Sequence, residues 1–297
     1  MCDAIFFVDT CSWLNLLKDV SQFSTISAVL NLVNSGKLNV VLPSQVMIEY
    51  KKNVENVLST LKLENKGHVK WVSELAKKTK TKDAKEAKKL SDQVYDKYVA
   101  ILEESRKEME VILFEKALEI ELTPQIIQRA VDRGLERRKP FTDNKNSMAD
   151  ALIIESVFEC CRLSSNDVTY KYFVSSNTND FCEDENKNKQ DKAKKKVVHT
   201  DLLNDFNSLN LNFSNNLSEA VNKVFPGSLS RKAVEAGKRI AEAFSERIEP
   251  IYKPFCPYCG TEVHEIIAGP KYLYGEFGWL TECPKCKKRF MLVSDLY

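Results

Sequence analysis

Five consecutive apolar residues, Ala4-Ile5-Phe6-Phe7-Val8, stop at an aspartate, Asp9. A run this short, rich in aromatic and β-branched side chains, reads as a buried strand. An ionisable group that closes such a strand lies where open parallel sheets hold their ligands, outside the carboxyl end. Shorter runs of the same kind occupy residues 38–42, stopped by Pro43, then 172–174 and 209–213. Helical patterns separate them. One begins over residues 12–17, and one follows Ser44 as a plausible N-cap and carries Val46, Ile48 and Glu49. Another starts at Thr123-Pro124, an N-cap with proline at the first helical position. Ser147-x-x-Asp150 opens the next, through Ile153, Ile154 and Val157, and residues 217–225 and 230–247 read as the last two. Strands alternating with helices imply a parallel α/β sheet.

Residues 68–123 contain neither Gly nor Pro and are dominated by Lys, Glu, Ala and Leu. Leu90, Val94, Tyr98, Ile101 and Ile112 recur at three-to-four-residue spacing or its multiples, which predicts long amphipathic helices with a bend at residues 79–82. This helical insertion spans about residues 51–139. No apolar run approaches the ~18–20 residues that span a bilayer, and Met1-Cys2-Asp3-Ala4 lacks the basic opening of a secretory signal. The expectation is a cytoplasmic protein, neither secreted nor membrane-bound.

The net charge of +2, from 44 Lys+Arg against 42 Asp+Glu, hides a segregation. Residues 1–50 carry net −2 and 51–139 net +5, while 140–186 carry −6 and 187–200 carry +5. Each acidic segment is thus followed by a basic one. If the acidic segments fold together they form a metal-binding pocket flanked by phosphate-attracting surface; otherwise these are solvated helical faces, and charge counts alone do not separate the two. The basic run at 187–196 is an ordinary solvated loop or, beside an acidic pocket, a holder for a substrate strand.

Nine cysteines, an odd number, accompany no export signal. Cys2, Cys11, Cys160, Cys161 and Cys182 are scattered and read as reduced thiols or small buried groups. The other four form Cys256-Pro257-Tyr258-Cys259-Gly260 and Cys283-Pro284-Lys285-Cys286. Two such turns match the spacing by which four thiolates enclose a tetrahedral zinc, and four protein ligands leave no open position for catalysis. The stretch 251–297 resembles a zinc ribbon, a module that contacts nucleic acid or protein. A redox or disulfide pair is the competing reading, weakened by the repetition of the Cys-Pro-x-Cys form.

Four acids fall at strand ends or on the opening turns of helices: Asp9, Glu49, Asp150 and Asp180. Converging carboxylates raise one another's pKa unless cations occupy the site, and hard oxygen donors call for Mg²⁺ or Mn²⁺. Two such ions ~3.5–4 Å apart activate water and stabilise the leaving oxygen of a phosphodiester. Each residue has a duller explanation. Asp9 could cap the following helix, Asp150 could belong to a capping-box start, Glu49 could be an exposed helical glutamate, and Asp180 could be a turn residue. His68, His199 and His264 show no ligand spacing. No Ser–His–Asp arrangement, Walker-type loop or dinucleotide fingerprint is present.

The ordered motifs carry more. Phe6-Phe7-Val8-Asp9-Thr10-Cys11-Ser12-Trp13-Leu14 resembles the opening strand of PIN-domain nucleases, and Pro43-Ser44-Gln45-Val46-Met47-Ile48-Glu49 their second motif. Ser147-Met148-Ala149-Asp150-Ala151-Leu152-Ile153 is similar to the third, and Phe173-Val174-Ser175-Ser176-Asn177-Thr178-Asn179-Asp180-Phe181 to the fourth. The resemblance covers roughly residues 4–213. It implies a nuclease domain at 1–213 with the helical insertion, a helical linker at 214–250 and the ribbon at 251–297. It also implies metal-dependent endonucleolytic cleavage of single-stranded nucleic acid, RNA foremost, with Mg²⁺ or Mn²⁺ held by Asp9, Glu49 and Asp150. Asp180 would complete the cluster, with Asn177 and Ser176 positioning water or phosphate, and Asp143 a weaker candidate. Asn177 stands where many members carry the fourth acid, so either Asp180 takes that role or a second metal is held weakly. The competing expectations are a non-catalytic adaptor for nucleic acid or protein, and a nuclease directed at DNA in defence. A protein partner would bind through the ribbon.

Overall fold

The computed structural model describes residues 2–141, 147–164, 168–183, 197–235, 266–273, 276–282, 285–287 and 289–293. The chain divides into two units, Met1–Glu246 and Arg247–Tyr297. In the first, strands β1 (Ala4–Val8), β2 (Leu38–Pro43), β3 (Leu118–Ile120), β4 (Tyr170–Val174) and β5 (Leu211–Ser214) form one sheet in the order β3-β2-β1-β4-β5. Every neighbouring pair is parallel. All five residues of β1 are buried, as the centre of a sheet covered on both faces requires. The chain leaves β1 for β2 on one side, and β4 lies on the other. β1 is therefore the point where the winding reverses, and a crevice opens at its carboxyl end.

Helices α1 (Thr10–Leu16), α2 (Phe23–Asn34), α3 (Ser44–Thr79), α4 (Lys82–Val111), α5 (Pro124–Leu135), α6 (Met148–Leu163), α7 (Thr178–Phe181), α8 (Thr200–Ser208) and α9 (Leu217–Val224) complete this unit. The core is aromatic around β4: the Phe173 ring meets Phe181 edge-on at 5.0 Å and lies 6.4 Å from Phe206. Such tilted contacts suit the ring quadrupole. Phe6, Phe7, Trp13, Tyr50 and Phe158 are fully buried in the same core.

Several helix ends match the sequence reading. The Thr123 hydroxyl accepts from the Ile126 N–H at 3.3 Å, with Pro124 beginning α5. The hairpin between α3 and α4 turns at Lys80, whose φ of 55° is left-handed, and Thr81 caps α4. Others differ. Pro43 ends β2 within the ladder and itself occupies the cap position of α3, so Ser44 is the first helical residue rather than its cap. Ser147 makes no side-chain cap bond to α6. Of the expected apolar stripe, Ile112 is buried and Tyr98 packs against the core, but Leu90, Val94 and Ile101 are exposed, no further layer covering them among the described residues. β3 was not foreseen. It follows a wide helical turn at Ile112–Lys116 in which the Ala117 N–H reaches back to the Ile112 carbonyl at 2.8 Å, and it is only three residues long.

In the second unit β6 (Ile266–Leu273), β7 (Glu276–Glu282) and β8 (Arg289–Val293) form an antiparallel sheet in sequence order. Among the described residues no helix is long and apolar enough to cross a membrane. Cys256, Cys259 and Cys283, the basic run at 187–196, Asp143 and His264 lie outside the described residues, as does most of the expected helix at 230–247.

One buried ion pair ties α5 to α6. Arg133, only 2% exposed, donates through Nε to Glu155 at 2.8 Å and through a terminal nitrogen to the Lys139 carbonyl at 3.0 Å. Removing one partner strands a buried charge, so Glu155→Ala should lower stability by about 3 kcal/mol. Replacing both with Arg133→Met and Glu155→Leu should cost markedly less, as urea unfolding of the three proteins would show.

Candidate active site

Strand register creates the centre of the site. Val8 is paired with Val174, and the Asp9 N–H continues that ladder to the Val174 carbonyl at 2.9 Å. The next residues on the two strands, Asp9 and Ser175, therefore stand side by side, and the Ser175 hydroxyl donates to Asp9 Oδ2 at 2.7 Å. The Cys11 thiol donates to the same oxygen at 3.0 Å, and the Thr10 N–H donates to Oδ1 at 2.7 Å. Asp9 thus caps α1 and also presents a fully bonded carboxylate at the crevice. The capping explanation is the one these hydrogen bonds bear out.

Asp9 is 3% exposed. Burial pushes its carboxyl above the ordinary range; the Cys11, Ser175 and Thr10 donors act against that, and the neighbouring Glu49 charge adds to it. Burial, with the Asp9 charge, also pushes the Cys11 thiol up. Glu49 comes from the second turn of α3, held in place where the Thr10 hydroxyl donates to the Val46 carbonyl at 3.3 Å. Its Oε1 accepts from Gln45 Nε2 at 3.0 Å. Among the described residues no basic side chain pairs with Asp9 or Glu49.

The other acids come from separate elements. Asp150 is half-buried in the first turn of α6. Asp180 is buried in α7 and accepts from Asn177 Nδ2, while the Asn177 N–H donates to Ser175 Oγ at 3.2 Å. Asp9, Ser175, Asn177 and Asp180 are thereby linked in one hydrogen-bonded chain. Ser176 turns away from it: its Oγ accepts from Asn15 Nδ2 at 2.8 Å and its N–H donates to Ser12 Oγ at 2.9 Å. Successive residues of an extended segment point to opposite sides, so the hydroxyl on Asp9 belongs to Ser175, which the sequence reading passed over. Its signal was available: it follows β4 as Asp9 follows β1. Lys139 was also missed. Its Nζ donates to the Asn179 carbonyl at 2.7 Å, inside the turn that carries Asp180.

Among the described residues no group of three or more His, Cys, Asp or Glu is arranged to hold a metal ion. The oxygen-rich pair of Asp9 and Glu49 is nonetheless the donor type that Mg²⁺ or Mn²⁺ takes, and a buried carboxylate without a basic partner suits a cation. His199 caps α8, its Nδ1 accepting from the Asp201 N–H at 3.1 Å, consistent with a structural role. Cys286 lies in the short turn between β7 and β8 and is half-buried.

The family described as PIN domain matches residues 6–181. No curated protein and no solved structure gives a significant match.

Because the Asp9 carboxyl is raised in the fold, its contribution to stability is complete below about pH 4, the unfolded value, and is lost as pH rises through the folded one. Above the unfolded value, burial of this carboxyl opposes folding. Asp9→Asn, which can still cap α1, should therefore melt higher than wild type in chelator at pH 7, and the difference should vanish under acid. Added Mn²⁺ should raise the melting temperature of wild type more than that of the variant. A variant that melts lower than wild type at neutral pH would contradict the assigned electrostatics.

Proposed function

The chain belongs to the PIN-domain family, and on that premise we propose a metal-dependent endonuclease that hydrolyses phosphodiester bonds of single-stranded nucleic acid, RNA foremost. PIN domains are commonly nucleases. The observation that carries the reading is Asp9: a buried carboxylate at the carboxyl end of the central strand, with Glu49 beside it and no basic partner among the described residues. A buried anion in that position needs a counter-charge. Asp9 and Glu49, with Asp150 and Asp180 as further candidate ligands from separate elements, would hold Mg²⁺ or Mn²⁺, which when bound supplies an activated water and charge stabilisation at the phosphate.

The chain's own groups set the geometry. The Ser175, Cys11 and Thr10 donors fix the rotation of the Asp9 carboxylate, which an ion would approach from the crevice side. Asn177 does the same for Asp180. It replaces the acid many members carry there with a donor, which leaves the site one negative charge poorer. Lys139 anchors the Asp180 turn from the side and adds positive charge near an incoming phosphate. The turn of Asn177 toward Asp180 also supports a second reading, an adaptor that binds nucleic acid or protein without cleaving it.

In the second unit we propose a structural zinc held by Cys256, Cys259, Cys283 and Cys286. The repeated Cys-Pro-x-Cys form and the three-stranded antiparallel sheet around Cys286 support it. A protein partner, if one exists, would bind there.

Labelled single-stranded RNA and DNA incubated with Mn²⁺, Mg²⁺ or EDTA should be cut only with metal, RNA faster. Asp9→Asn and Asp150→Asn should each lose at least about 100-fold, and Ser175→Ala about 10–100-fold, the usual cost of freeing a metal ligand from its support. Cleavage that survives both aspartate substitutions would remove the assigned site, and metal-replete protein that binds but never cuts would favour the adaptor. Elemental analysis of the purified chain should find one zinc, lost in Cys286→Ser.

A further inference from the structure

The hairpin of α3 and α4 has two electrostatic regimes. Near the sheet its charges are neutralised: Lys62 pairs with Glu103, and Arg106 bonds Glu110 at 2.9 Å and Glu55 at 2.7 Å. Beyond that point the pairing stops. Residues 66–89 contain nine lysines and three acids, net +6. All nine lysines are exposed, and among the described residues none makes an ion pair. Lys66, Lys70 and Lys77 recur along one face of α3, with Trp71, Leu75 and Lys78 on the adjoining one.

Trp71 is 65% exposed. One turn back, Gly67 carries no side chain, and no other side chain, the indole included, stands within 4 Å of where its Cβ would be. The indole face is thus open. A tryptophan so placed among unpaired lysines is the combination that binds single strands, cations tracking phosphates while a base stacks on the ring. Apolar neighbours such as Leu63 and Leu90 are exposed too, but a protein partner would have to bring at least as much negative charge, and a nuclease's substrate does so along its whole length.

We propose that the hairpin tip is a second nucleic-acid docking site, separate from the cleavage site, which grips the single strand beyond the scissile bond through Lys66, Lys70, Lys77, Lys78 and Trp71. The inference rests on the nucleic-acid reading given above. At 1.5 Å per residue, Lys66 lies about 26 Å and Thr79 about 45 Å along α3 from Glu49, so a strand of about four nucleotides seated at the acids does not reach the docking residues and a long one does.

The full-length chain tests this. Binding of a 4-nucleotide and a 40-nucleotide RNA is measured by anisotropy across a salt series, in an Asp9→Asn background. The matching DNA strands separate phosphate recognition from sugar preference. The long strand should bind more tightly and with the steeper salt dependence. Replacing the four lysines with Gln should lower the slope of log K against log salt by about 3 for the long strand, four contacts at ~0.7 each, and leave the short strand unchanged. Trp71→Ala should weaken the long strand roughly ten-fold. With Asp9 restored, both tip variants should cleave the 4-nucleotide substrate at the wild-type rate. Tip variants that bind the long strand as wild type does would overturn the proposal while cleavage stands. A shift from dimer to monomer in Trp71→Ala with nucleic-acid binding unchanged would also overturn it, assigning the face to a second copy. If the wild-type chain cleaves nothing yet the tip variants lose the long strand, docking stands and the nuclease reading falls.

Discussion

The pairing of β1 with β4 is the interaction on which the candidate site depends. It is parallel and in continuous register from Ala4↔Tyr170 to Val8↔Val174, and the Asp9 N–H adds one more rung. Because side chains alternate with a period of two, a slip of one residue would put Asp9 among the core rings and an apolar side chain at the crevice. The buried faces of both strands, Phe6 and Phe7 on one and Tyr172 and Phe173 on the other, forbid that slip. Core packing and site geometry are therefore a single constraint. The same hydrophobic burial that stabilises the sheet holds a serine hydroxyl within hydrogen-bonding distance of the carboxylate.

What the sequence made legible follows from this division of labour. β1 and the acid that ends it were readable because an unbroken apolar run and a single charge mark both residues without reference to anything distant. The helix start at Thr123-Pro124 and the bend near Lys80 were readable for the same reason, being local backbone chemistry. β3 was not, since Leu118-Glu119-Ile120 carries no strand signature and becomes one only by pairing with Val41, Leu42 and Pro43. Ser175 was overlooked in favour of Ser176 because the two adjacent serines are distinguishable only once the register fixes which side each faces. Arg133 was invisible among the charges of its segment; its burial is decided by Glu155 on a helix 22 residues away.

The exposed Leu90, Val94 and Ile101 show the limit of periodicity as a guide. A helical apolar pattern reports that a face is suited to burial, not that a partner is present to bury it. On α4 the pattern succeeds at Leu102 and Met109, where α2 and the sheet are within reach, and it fails toward the tip, where no further layer covers the hairpin among the described residues. A two-helix hairpin without a third layer gains little from burial, and the stability of its distal part must come from helix propensity and from contacts such as the Tyr95 hydroxyl on the Lys62 carbonyl at 3.3 Å. Nine unpaired lysines near that tip add self-repulsion. An arrangement that weakens the free hairpin is relieved when a polyanion lies across it.

Helix α3 connects these two demands. Its second turn carries Glu49, whose charge adds to the rise of the buried Asp9 carboxyl. Its last turns carry Lys77 and Lys78, the sign the carboxyl end of a helix favours. Charge is thus separated along one continuous element, acidic where chemistry is proposed and basic where the strand is held. The near-neutral total of +2 for the whole chain conceals this separation. An anionic strand meets repulsion at the bare acids and attraction at the tip. On the proposed reading it would engage the hairpin first, and a cation between the carboxylates would then turn the crevice from repelling to accepting.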